Sequence, residues 1–373
     1  MKNLMKKLLV VLLSLGLIFA FVGCDTANAP DPAPAEEVAE TPADTPADEP
    51  EDDSADAPAD APPAGDQVIT VGFSQIGSES DWRIGNTVSV TTALEEAGWN
   101  VIFNDANQQQ HLQLQAIRDF ITQGVDYIVL APIVETGWDA IIQEIDDAGI
   151  PWVQMDRGID MPGIENYRVS WVTNNFEDEG RRAGEWLIAY LEEAGRMGDD
   201  INIVELQGTV GSSAAIDRQR GFAEMIADHP NLEITQSQTG DFTTELGMVV
   251  MEAFLGAADR PIDVLFAHND GMALGAIQAI RDAGLVPGED IIIIGVDAVA
   301  LAFEAIVAGD MNVTVECSPL LGPTVVEVIK AHMAGQPVEA EIFSSVRVFD
   351  ETLSLIMPDR FLSAAEDLPN RVY

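Results

Sequence analysis

The chain has 373 residues and sets 63 acidic against 18 basic side chains, a formal net charge of −45 at pH 7. Nucleic acid and anionic surfaces are thereby excluded as partners of the folded body, because either needs a basic face. Two cysteines, Cys24 and Cys317, and four scattered histidines (His111, His229, His268, His332) build neither a disulfide framework nor a metal site, so no metal or cofactor is expected.

The chain opens with MKNLMKKLLVVLLSLGLIFAFVGC, a basic start (Lys2, Lys6, Lys7) followed by an apolar run from Leu8 to Val22. That layout is a secretory signal peptide, too short to span a membrane as a helix. It ends in Phe21-Val-Gly-Cys24, which resembles a bacterial lipobox with Phe21 where leucine is usual. The resemblance implies loss of residues 1–23 and acyl chains on Cys24, leaving the protein lipid-anchored on the extracytoplasmic face of the cell membrane. Residues 24–66 hold 14 acids, nine prolines and no Lys or Arg. Such a segment has almost nothing to bury and repels itself, so it reads as a disordered tether.

Residues 67–373 are long enough for two domains and carry 15 Lys/Arg against 49 Asp/Glu. Short apolar runs alternate with longer amphipathic ones. QVITVGFS reads as a strand, TVSVTTALEEAG as a helix, WNVIFND as a strand and HLQLQAIRDFITQG as a helix. VDYIVLAP, WDAIIQEIDDAG and IPWVQMDR continue the alternation, with Gly98, Gly124 and Gly149 as helix stops. A second series follows from RVSWVTN through FEDEGRRAGEWLIAYLEEAG, INIVELQG, AAIDRQRGFAEMIADH, LEITQSQTGDF and TELGMVVMEAFLGA. IDVLFAHND, GMALGAIQAIRDAG, DIIIIGVDA, LAFEAIVAG and NVTVECS complete it. The pattern predicts an α/β chain with two doubly wound parallel-sheet lobes.

Ligands in open α/β sheets bind at the carboxyl ends of the strands. Those positions here are Ser74-Gln75, Asp105, Pro132, Asp156-Arg157, Gln207, Asp241-Phe242, Asn269-Asp270, Asp297 and Glu316. Asp105 and Asp270 are equally well explained as helix caps. Asp156, Asn269 and Asp297 together suit polyol binding, since carboxylates accept hydroxyl hydrogen bonds. Arg83, Arg157 and Arg218 supply forked donors, and Trp82 and Phe242 supply faces for apolar C–H groups. No G-x-S-x-G, H-E-x-x-H or P-loop is present, and acids interleaved with arginines are expected to keep low pKa values, so no enzyme is expected.

Several longer phrases resemble one family. VGFSQIGSESDWR (71–83), VELQGTVGSSAAIDRQRGF (204–222), SQTGDFT (237–243), FAHNDGMALGAIQAI (266–280) and GVDA (295–298) are similar to the type 1 periplasmic sugar-binding proteins of ABC importers. The likeness lies in the ribose/galactose branch, nearest its galactofuranose-binding members. It implies two lobes joined by a three-strand hinge: residues 67–173 plus 317–344, and 174–316 plus 345–373. It also implies a ligand site of Glu79, Trp82, Arg83, Asp105, Asp156, Arg157, Arg218, Phe242, Asn269, Asp297 and Glu316, with no catalytic residue. Asp81 departs from the family's small residue, and Asn175 stands where an Asp is usual, as a helix cap. The implied partners are a monosaccharide, a permease and its ATPase, with the binding protein a monomer. A sugar-sensing subunit is the alternative. A lactose-type repressor is opposed by export, by charge and by the lack of a DNA-binding headpiece before the fold.

Overall fold

In the computed structural model, the described residues are 68–373. The expected signal peptide, Cys24 and the acidic tether lie outside them.

The first series comprises β1 (Thr70–Gln75), α1 (Asp81–Glu96), β2 (Asn100–Asp105), α2 (Gln110–Gln123), β3 (Tyr127–Leu130), α3 (Asp139–Asp147), β4 (Trp152–Met155) and β5 (Ser170–Thr173). The second comprises α4 (Phe176–Glu193), β6 (Ile201–Gln207), α5 (Ser213–Ile226), β7 (Leu232–Thr239), α6 (Thr244–Ala257), β8 (Val264–Ala267), α7 (Asp270–Asp282), β9 (Ile292–Asp297), α8 (Ala300–Ala308) and β10 (Val313–Glu316). The chain continues with α9 (Gly322–Met333), β11 (Glu341–Phe343), β12 (Val348–Asp350), β13 (Leu362–Ser363) and α10 (Ala364–Asp367).

These strands form two sheets, ordered β11-β5-β4-β3-β1-β2 and β13-β12-β10-β9-β8-β6-β7. Their inner strands β3, β4, β8 and β9 are buried along their whole length, as strands covered on both faces must be. That is why they read as mostly apolar runs, broken only by Gln154 in β4 and by Asp297 at the end of β9. Gly98, Gly124 and Gly149 end their helices at φ of 80°, 66° and 66°, a left-handed turn that glycine makes without strain.

The described chain passes between the sheets three times, at 174–175, 317–321 and 344–347. The first two crossings are zipped together. Asn174 Nδ2 donates to Ser318 O and Asn174 Oδ1 accepts from Ser318 N, each at 3.1 Å. The third lies against the second, because Glu316 N donates to Arg347 O at 2.7 Å.

Two expectations are corrected. The second sheet is not wholly parallel, since β12 runs antiparallel to β10. The sheets point their carboxyl ends at each other, so a strand arriving from the third crossing must run away from that end. Helix α1 starts at Asp81 rather than at 87, because Ser80 caps it, its Oγ accepting from Arg83 N at 3.2 Å. Trp82 and Arg83 therefore sit in the first turn of a helix. Asn175 does cap α4, its Oδ1 accepting from Asp178 N at 3.0 Å.

Helices α4 and α5 cross at glycines: a Cβ on Gly180 would overlap the carbonyl oxygen of Arg218, and one on Gly221 would overlap that of Glu177. Replacing Gly180→Ala should push α5 away, costing about 1–3 kcal/mol of stability from overpacking. Thermal unfolding reads this directly; an unchanged midpoint would mean that the helices can separate freely.

Candidate binding site between the strand ends

The carboxyl ends of the two sheets enclose a small cavity. The first lobe contributes Glu79, Ser80, Trp82, Arg83, Asp156 and Arg157, and the second Phe176, Ala214, Arg218, Phe242, Asn269 and Asp297. Cys317, on the second crossing, completes the wall. The lobes are closed on one another: Gly158 N donates to Ser213 Oγ at 2.7 Å and Glu135 N donates to Gly211 O at 2.9 Å.

Three buried guanidiniums organise the walls. Arg83 Nε donates to Glu79 Oε1 at 3.0 Å, and its Nη1 lies 2.8 Å from Asp156 Oδ2. Arg157 Nη1 donates to Ile133 O at 2.7 Å, while its Nη2 stands 3.9 Å from Glu79. Arg218 Nε donates to Glu179 Oε2 at 2.8 Å and Nη1 to His268 O at 2.6 Å, with Asp297 Oδ1 at 3.6 Å. Phe242 bridges the two lobes, lying 5.1 Å from the Arg157 guanidinium and 5.8 Å from that of Arg218. Its ring occupies the space a side chain on Gly208 would need.

Backbone strain aims several of these groups. Asp156, Phe242 and Asp297 have φ of 62°, 61° and 123°, in the region that non-glycine residues avoid at a cost of about 1–3 kcal/mol each. The Asp156 carbonyl is held by Thr173 Oγ1 at 2.6 Å and Trp171 Nε1 at 2.9 Å, which keeps the turn in place. Behind the second lobe, His268 Nδ1 accepts from Gly208 N at 3.4 Å and Nε2 faces Glu205 at 3.2 Å. Because Nδ1 accepts, Nε2 carries the ring proton toward Glu205, and burial lowers the pKa of the imidazole. Burial opposes the charge of Glu205, yet its donors His268, Ser237 and Gln219 bring its pKa down to about 2.

The acids do not all keep low pKa values. Burial pushes Asp297 well above the carboxylate range; Arg218 opposes this, and the charge of Asp270 adds to it. Burial also raises Glu179 despite its bond to Arg218. Desolvation outweighs the arginines there, contrary to the expectation from sequence. Three guanidiniums, Arg83, Arg157 and Arg218, thus face four carboxylates, Glu79, Asp156, Glu179 and Asp297, and burial disfavours the charge on the last two. Some of their acceptors remain free: Glu79 Oε2 and Glu179 Oε1 are buried without a hydrogen-bond partner, and Asp156 Oδ2 has only its ion contact with Arg83.

Nine of the eleven expected site residues line the cavity; Asp105 and Glu316 do not. Asp105 ends the edge strand β2, is exposed, and accepts from Ser78 Oγ at 2.6 Å and Asn107 N at 2.7 Å. The Glu316 carboxylate is taken up by Arg347 and Arg371 on the hinge. Asn269 and Trp82 also serve the fold. Asn269 caps α7 through Met272 N and donates to Phe242 O, and Trp82 Nε1 donates to Cys317 O at 2.7 Å. Asp270 is no cap; it accepts from Thr314 Oγ1 and Val299 N, tying the Asp297 loop to its neighbours. Sequence reading missed Phe176, Ala214, Ser80, Cys317 and the supporting Glu179. The signal for Glu179 was an acid on the apolar face of α4, in step with Phe176, Ala183 and Leu187.

A family model described as periplasmic binding protein domain matches residues 71–337. The chain is 44% identical over 258 residues to the galactofuranose-binding protein YtfQ of Escherichia coli (strain K12), covering 68% of this chain and 79% of that one. A crystal structure of a galactofuranose-binding protein superposes with a TM-score of 0.75 at 39% identity, covering 81% of this chain and 98% of the other. The periplasmic binding protein component of the arabinose ABC transporter from Shewanella sp. ANA-3, bound to α- and β-L-arabinofuranose, gives 0.72 at 43% identity, with 82% and 99% covered.

Two predictions come from the electrostatics. Burial raises Asp270 to about 7, so the folded protein holds protons that the unfolded chain releases. Stability of the ligand-free protein should therefore fall as pH rises from about 4 toward 7. In Asp270→Asn that decline should be shallower; an unaltered pH profile of the melting temperature would contradict the assignment. Arg218→Met strands Glu179 and Asp297 without their cation, so chemical denaturation should show a loss of about 3–5 kcal/mol. A loss below 1 kcal/mol would mean that the ion pairs are not holding the site.

Proposed function

The chain belongs to the periplasmic binding protein family, and from that premise we propose that it captures one neutral monosaccharide, a furanose such as galactofuranose, in the cavity between its lobes. One observation carries the reading: a cavity whose acids and arginines are interleaved keeps a buried carboxylate oxygen, Glu79 Oε2, without a hydrogen-bond donor. Buried acceptors are nearly always satisfied, and sugar hydroxyls are donors of the right kind. The acids and arginines at the walls pair with one another, which favours a ligand of hydroxyls over a charged one. The furanose form is supported by the galactofuranose- and arabinofuranose-binding relatives.

In this reading Glu79 and Asp156 accept hydroxyls from the first lobe, and Arg157, Arg218 and Asn269 donate their remaining N–H groups. Asp297, whose charge burial disfavours, can donate as well as accept when it holds a proton. Trp82 and Phe242 provide ring surface for the sugar's C–H groups. The moving bodies are residues 67–173 plus 317–344 and residues 174–316 plus 345–373, which close about the three crossings as binding proteins of this class do. No turnover is assigned. The protein works as a lipid-anchored monomer, tethered through Cys24 outside the cytoplasm, and delivers its sugar to an ABC permease powered by a cytoplasmic ATPase.

The test is a titration of the protein's tryptophan fluorescence with galactofuranose, galactopyranose, arabinose, ribose and glucose. Saturable binding with preference for a furanose is expected. Arg157→Ala should weaken it roughly 10–100-fold, the worth of a hydrogen bond from a charged donor. Silence across the whole panel, or full affinity in Arg157→Ala, would overturn the assignment.

A further inference from the structure

Glu316 is the centre of a charged cluster on the hinge, and that cluster reaches the opposite lobe. Arg347 grips its two carboxylate oxygens at 2.6 Å each, and Arg371 Nη1 donates to Oε1 at 2.9 Å. The hydroxyl of Tyr373 joins in, accepting from Arg371 at 2.7 Å and donating to Glu316 at 3.3 Å. Arg371 is itself walled by Phe303 and Phe349, 4.4 and 4.5 Å from its guanidinium. These groups all belong to the second lobe or to the crossings.

Tyr373 leaves that lobe. Its carbonyl accepts from Ala300 N at 2.7 Å, at the start of α8, and its Cβ packs on Gly85 of α1 in the first lobe. The fit is close: a Cβ on Gly85 would stand 3.1 Å from the Tyr373 Cβ and 3.6 Å from Pro319. Gly85 lies two residues beyond Arg83 on the helix that carries Trp82 into the cavity. The contact thus joins the first lobe's ligand-bearing helix to the hinge of the second, and it stands in the closed arrangement.

We infer that Tyr373, braced by Glu316 and Arg371, is a positioning residue that latches the closed form against Gly85 and tightens binding without touching the ligand. The inference rests on the proposed capture of a sugar. A latch of this kind acts on the population of the closed state, so it changes affinity and leaves ligand preference alone.

The experiment is stopped-flow and equilibrium titration of the protein with galactofuranose and arabinose, comparing wild type, Tyr373→Gly, Tyr373→Phe, Gly85→Ala and the double variant Gly85→Ala/Tyr373→Gly. Tyr373→Gly, which removes the Cβ that meets Gly85 as well as the ring, should weaken both sugars by the same factor, about 5–20-fold, through faster dissociation. Tyr373→Phe, which keeps the Cβ and the ring but gives up the hydroxyl's bonds to Glu316 and Arg371, should lose less. Gly85→Ala should weaken binding alone but add nothing once Tyr373 is Gly, because no Cβ is left for it to crowd. The ligand-free melting temperature of Tyr373→Gly should stay within about 2 °C of wild type, because an open ligand-free ensemble does not rely on the closed contact. Affinity unchanged in Tyr373→Gly, a changed sugar ranking, additive losses, or an equal drop in ligand-free and ligand-bound melting temperature would each overturn the latch. A wild type that binds no sugar would overturn the reading beneath it, and the latch with it.

Discussion

The cavity depends on burying three guanidiniums and neutralising them locally. A buried cation without a partner is costly by several kcal/mol, so each arginine dictates what surrounds it. Arg218 demands Glu179 from α4, the His268 carbonyl after β8 and Asp297 at the end of β9. Arg83 demands Glu79 one turn before it and Asp156 after β4. Phe242 then sits between Arg157 of one lobe and Arg218 of the other, an apolar partner that both can approach without competing for a carboxylate. The glycines at the α4–α5 crossing and Gly208 beneath the Phe242 ring serve this arrangement, because each leaves space that a larger residue would take from an ion pair or an aromatic ring.

This constraint also explains why the cavity differs so much from the rest of the surface. The body has far more acids than bases, yet its binding walls come close to balance. Three arginines, Arg83, Arg157 and Arg218, stand at the cavity, and burial disfavours the charge on Asp297 beside them. A highly acidic exterior and a balanced interior are then compatible, and the charge of the exterior says little about the charge of the ligand.

Much of this was legible in the sequence. Parallel strands buried on both faces are apolar runs, so any polar residue at their carboxyl ends stands out, as Asp156, Asn269 and Asp297 do. Helix stops were legible because glycine alone takes the left-handed turn at no cost. What stayed hidden has equally physical reasons. Position at a strand end does not say which way a side chain turns, so Asp105, on an edge strand, and Glu316, on the hinge, were placed with the cavity residues. No composition signals the positive φ of Asp156 or Asp297, which tertiary packing imposes. The early start of α1 turned on one serine cap, and the antiparallel β12 on the direction from which the chain re-enters its sheet. The low pKa values expected of paired acids failed at Asp297 and Glu179 because sequence shows the partner but not the depth of burial.

The most direct measurement is a crystal structure of the protein grown with saturating galactofuranose. The account predicts one sugar in the closed cavity, with a hydroxyl within hydrogen-bonding distance of Glu79 Oε2, the acceptor left open at its walls, and another near Asp156. A sugar bound elsewhere, or one lying in the cavity while Glu79 Oε2 remains without a donor, would contradict it.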